Sequence, residues 1–143
     1  MKPETLIYEK VRDIIPEKSE KTVFFAAISE TSYEVFFYSY IDGKAVQCYE
    51  FTEQDKLDEN DLDEVFEAIA GIIRKSKTFI PDKYNIATIK IDRCGVKMYM
   101  DYMDKDVRMY KIKKEWEKNN LQWLSVIYII DYSSCQSNRI MKI

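Results

Sequence analysis

Hydrophobic and polar positions change period several times along this chain, and each change marks an element. Leu6, Ile7, Val11, Ile14 and Ile15 recur at helical spacing, so a first helix is expected over Glu4–Ile15. Pro3 stands at its start, where a missing N–H costs nothing, and Pro16 stops it. The period then falls toward two. Val23–Ser29 and Tyr33–Ile41 are β-branched and aromatic runs on either side of the polar Glu30-Thr31-Ser32, a hairpin pattern. Asp42-Gly43 is a stronger signal still, because both central residues of a type I′ turn need positive φ. It predicts a third strand, Lys44–Phe51, and with it a three-stranded antiparallel meander.

A polar segment, Thr52–Asn60, leads into a second helix. Leu62, Val65, Phe66, Ile69, Ile72 and Ile73 form one apolar stripe, and Asp58 or Asn60 can cap its start. Arg74, Lys75 and Lys77 sit where the C-terminal dipole favours cations. Ile86–Asp92 and Val96–Tyr102 alternate around Arg93-Cys94-Gly95, a second hairpin. Val107, Tyr110 and Trp116, with lysines between them, predict a third helix over Lys105–Asn119. The β-branched and aromatic Gln122–Tyr132 reads as a last strand, followed by a loosely held end from Ser133. The order α-β-β-β-α-β-β-α-(β) describes an α+β fold, an antiparallel sheet with helices packed on it, expected to be one domain over residues 1–143.

Composition narrows the chemistry. Hydrophobic residues make up 46% of the 143, enough for a core, and no Gly/Ser-rich stretch interrupts the pattern. The start, MKPETLIYEK, lacks the apolar run of a secretory signal. Purely apolar runs, Val126–Ile130 included, are far short of the roughly 20 residues a spanning helix needs. Cys48, Cys94 and Cys135 are odd in number and in no CxxC pair, so neither a disulfide framework nor a zinc site is expected. That usage suits a reducing cytoplasm. Histidine is absent, which removes Ser-His-Asp and Cys-His nucleophiles and imidazole-ligated metals. The expectation is a protein without catalytic residues, cofactor or metal.

Charge is unevenly placed. Glu53–Glu67 holds eight acids against one base, Lys56, a net −7, while the whole chain is −3, so the remainder carries +4. Acids at a helix N-terminus complement its dipole, but eight exceed that need and favour a basic partner surface. Asp58, Glu59, Asp61, Asp63 and Glu64 form the leading candidate contact patch. Asp101, Asp104 and Asp106 form a second, with Tyr99 and Tyr102 as aromatic anchors of the kind that dominate hot spots. A calcium loop beginning at Asp104 would need an oxygen ligand at Arg108 and glycine at Met109, and has neither. Asp104 or Asp106 is instead expected to cap the third helix. A pI near 5.2 and the lack of any RNP-like run oppose direct nucleic-acid binding.

Three stretches carry a family resemblance: IYEKVRDIIPEKSEKTVFFAAI, YEVFFYSYIDGK, and VKMYMDYMDKD followed by IKKEWEKNNL. In that order they resemble the YezG-like immunity proteins, antitoxins encoded beside polymorphic bacterial toxins, over roughly residues 7–121. Two features depart from the family: Glu17–Lys21 lacks the Trp often found after the first helix, and the segment from Gln122 has no counterpart. The resemblance implies a non-enzymatic inhibitor that binds the C-terminal toxic domain of a cognate effector, commonly a nuclease, and spares the producing cell. The alternative expectation is a non-catalytic adaptor or scaffold subunit of a standing complex. Edge strands of such a sheet could also pair between copies, which leaves a homodimer open.

Overall fold

The computed structural model describes residues 1–126. Five strands form one antiparallel sheet: β1 (Lys21–Ile28), β2 (Tyr33–Ile41), β3 (Lys44–Gln47), β4 (Lys83–Asp92) and β5 (Gly95–Asp104). Side by side they run β3-β2-β1-β4-β5. The helices are α1 (Pro3–Val11), α2 (Cys48–Glu53), α3 (Glu59–Arg74) and α4 (Met109–Val126). This is the expected α+β class.

β1 is buried along its whole length because both faces of the sheet are covered at its centre. Its run VFFAAI therefore needs no polar alternation. On one face Phe25 and Phe36 stack at 4.8 Å, and the Trp116 ring of α4 meets both edge-on at 5.3 and 5.6 Å. The Trp116 indole N–H donates to Thr88 Oγ1 at 2.8 Å, so the ring is buried without stranding its polar atom. Phe24 and Phe37 point to the opposite face, where their rings lie 4.9 Å apart and Phe51 of α2 stacks on Phe37. There α3 turns in Leu62, Phe66, Ile69, Ala70 and Ile73, and α1 adds Ile7 and Val11.

Two polar residues fix how α3 returns to the sheet. Asn85 is fully buried, and its amide donates to the carbonyls of Ile28, Ile80 and Lys83 while accepting the Ile80 N–H. Arg74 donates from Nε to the Ser29 carbonyl at 2.9 Å and from its terminal nitrogen to the Ser32 carbonyl at 3.0 Å. The end of α3 is thereby tied to the β1–β2 turn.

The Asp42-Gly43 turn has positive φ at both residues, 50° and 79°, as expected. Several boundaries differ from expectation. The third strand stops at Gln47, and Cys48–Glu53 is helical, because Cys48 and Phe51 are buried three residues apart, a helical spacing. The last helix begins at Met109, so neither Asp104 nor Asp106 caps it. Asp104 ends β5 and pairs with Lys83 instead. The helix continues to Val126, replacing the first five residues of the strand expected over Gln122–Tyr132. The remainder of that strand and the end from Ser133 lie outside the described residues. Cys48 is a free, buried thiol. Cys94 is disulfide-bonded, where no disulfide framework was expected.

Candidate binding surface

The first patch stands at the start of α3, and local chemistry accounts for two of the eight acids between Glu53 and Glu67. Asp55 has φ 58°, the left-handed conformation that closes α2. Its N–H donates to the Thr52 carbonyl and that of Lys56 to the Phe51 carbonyl, the paired bonds of a Schellman motif. Aspartate tolerates that conformation better than most residues. Asp58 caps α3, its Oδ1 accepting the N–H groups of Asn60 at 2.7 Å and Asp61 at 3.3 Å.

Glu59, Asp61, Asp63, Glu64 and Glu67 have no such duty and are all exposed. With the ridge from Leu62 to Ile73 facing the sheet, helical periodicity sends these carboxylates to solvent together. Beside them, Tyr49 on α2 is exposed and sits in their field. Burial pushes its hydroxyl above the usual tyrosine range, and the charges of Cys48, Asp63, Glu34 and Glu59 add to the effect. Sequence reasoning missed Tyr49 because it placed the residue in a strand. The signal that would have found it is the helical spacing of Cys48 and Phe51 around it. A shallow groove of about 290 Å³ opens next to the α2–α3 turn, lined by Pro16, Ile41, Phe51 and Leu57 with Glu17, Lys18 and Lys56.

On the opposite face of the sheet, beside α4, Tyr38 is pushed up to about 12, first by burial and then by the charge and hydrogen bond of Glu117. Burial also pushes the Cys48 thiol up to about 11, which leaves it protonated and unreactive near neutral pH.

The second patch is divided. Alternation along β5 places Tyr99 and Asp101 on the α4 side of the sheet and Tyr102 and Asp104 on the α3 side. Tyr102 is half-buried, its hydroxyl donating to the Thr78 carbonyl at 2.7 Å. Asp101 accepts the Tyr102 N–H, and Asp104 holds Lys83 at 2.5 Å. That contact, a hydrogen bond first and a charge interaction second, raises the Lys83 pKa. Asp106 is exposed in the turn before α4. Of this group Tyr99, half exposed, and Asp101 face solvent on one side.

The two patches do not merge. Arg74 fixes the C-terminus of α3 at the β1–β2 turn, so its acidic N-terminus lies at the other end of the sheet. The sixteen residues of α3 span roughly 24 Å. Asp101 and Asp104 register with Ile86 and Lys83, at the β1–β2 turn end. Among the described residues no cluster of carboxylates and thiols is arranged to hold a metal ion, and no helix is long and apolar enough to cross a membrane. No family model matches the chain, and no curated protein matches it as a relative.

Proposed function

We propose that this protein is an immunity protein, an antitoxin that binds the toxic domain of a cognate bacterial toxin in the cytoplasm and blocks access of substrate. The observation that supports the reading is the α3 surface: Glu59, Asp61, Asp63, Glu64 and Glu67 exposed side by side, with no capping duty, on a helix anchored in the core. A nuclease presents cations to phosphate, and such a surface attracts it over a distance and speeds association. Tyr49 and the apolar groove at Phe51 and Leu57 supply contact area beside the charges. The resemblance of the three stretches to YezG-like proteins points the same way. With Cys94 disulfide-bonded, cysteine usage gives no support to a reducing compartment, and the cytoplasmic placement is part of this proposal.

The experiment is co-expression with the C-terminal domain of the large secreted protein encoded next to this gene. Survival of the cells with a stoichiometric complex is expected. Continued killing without a complex rejects that pairing, and a neighbourhood without a toxic domain favours the adaptor reading. Within a complex, reversing Asp61, Asp63 and Glu64 to lysine should slow association about tenfold and flatten its dependence on salt. Unchanged association kinetics would remove α3 from the interface and leave the immunity role standing.

A further inference from the structure

β5 is an edge of the sheet: it pairs with β4 on one side, and no described strand lies on the other. An edge strand ten residues long is a template for another chain unless something blocks it. We propose that β5 pairs antiparallel with β5 of a second copy of this chain, about a two-fold axis at Tyr99, to form a continuous ten-stranded sheet. The inference goes beyond the immunity reading and does not depend on it.

Backbone parity supports this register. The Tyr102 N–H donates to the side chain of Asp101, so it points away from β4. By the two-residue period of a strand, the N–H and C=O groups of Met98 and Met100 also point outward. An axis at Tyr99 sets Met98 opposite Met100 of the second copy, and each pair can exchange both backbone hydrogen bonds. Tyr99 then faces its own counterpart in the closer, non-hydrogen-bonded position, where aromatic side chains make good cross-strand contacts.

Side-chain charge supports the same register. About Tyr99, Lys97 falls opposite Asp101 of the second copy, and Asp101 opposite the second copy's Lys97, on the same face as the tyrosines. Both residues are exposed, and among the described residues neither forms an ion pair. Within one chain Lys97 instead registers with Lys90, a like-charge neighbour that a carboxylate on its other side would offset. Displacing the axis to Lys97 or to Asp101 sets like charges against each other. The segment Lys97-Met98-Tyr99-Met100-Asp101 is thus self-complementary about Tyr99, as an isologous contact requires. Such a dimer would cover Tyr99 and Asp101 and leave both α3 acidic surfaces open at its far corners.

The test is sedimentation equilibrium of the full chain from micromolar to millimolar concentration. The wild type should show a reversible monomer–dimer equilibrium. Lys97→Asp, which sets two carboxylates opposite each other twice per dimer, should weaken it about tenfold or more. The exchange Lys97→Asp with Asp101→Lys should restore it. A monomer at every concentration overturns the proposal, as does a dimer indifferent to Lys97→Asp or a charge exchange that fails to restore association. Circular dichroism checks the fold of each variant. Should Lys97→Asp not fold, Asp101→Lys creates the equivalent like-charge pairing and decides the matter.

Discussion

In the stretch from Glu53 to Glu67, a helix sends apolar and acidic residues to opposite sides, so five carboxylates share one solvent face over a buried ridge. In β5 the alternation of a strand splits a similar set of acids and tyrosines between two faces. Hydrogen bonds to Lys83, Thr78 and the backbone then engage several of them. Acidic composition alone therefore does not make a binding surface. A carboxylate is available to a partner when periodicity exposes it and neither a cap nor an ion pair uses it. By that measure α3 offers a surface, while β5 offers an edge.

Four measurements test the contrast. The largest effect is expected under the first surface. Phe66→Ala should cost about 3–5 kcal/mol in urea unfolding, because it empties a site in the core beneath α3. Met100→Ala, half-buried at the edge, should cost clearly less. Equal losses would mean that β5 is as firmly held as α3.

Alkaline titration comes next, through Cys48. Burial raises its folded pKa from 9.0 to about 11, so the associated stability is fully present below pH 9 and is lost as pH rises toward 11. The loss should be roughly 2–3 kcal/mol and should vanish in Cys48→Ala. Tyr38, raised from 10.0 to about 12, extends the same decline from pH 10 upward, and Tyr38→Phe should remove that limb. A flat stability between pH 9 and 12 would contradict the burial of both groups.

Asp58→Ala should destabilise by about 1 kcal/mol, the usual value of an N-cap. The triple reversal at Asp61, Asp63 and Glu64 should cost less, since those side chains cap nothing and bury nothing and only Asp61, in the first turn, answers the helix dipole. That pair of results would separate the acid that builds the helix from those free to bind. The smallest effect is a gain. Asp55→Gly should stabilise by a few tenths to about 1 kcal/mol, because glycine relieves the left-handed φ at the end of α2. A loss would show that the aspartate side chain supports the turn.

Local patterns were legible wherever one residue type determines the backbone. Asp42-Gly43 specified its turn because positive φ is cheap there, and the stripe from Leu62 to Ile73 specified α3 because only a helix buries those positions together. The acidic cluster was equally visible, since charge needs no geometry to be counted. The Lys44–Phe51 stretch misled because β-branched and aromatic residues favour strands, whereas burial of Cys48 and Phe51 against Phe37 favoured a helix. Tertiary packing outweighed propensity there.

The order of residues alone carried the α+β class, the three hairpin turns, the main helix and the surplus of acids at its start. Those follow from periodicity, turn chemistry and charge, all of which act within a few residues. Tertiary contacts were needed to set β1 between β2 and β4, to leave β5 at the edge of the described strands, and to put the two acidic groups at opposite ends of the sheet. Strand order depends on how both faces of β1 find cover, and that requires contacts between residues far apart in the chain.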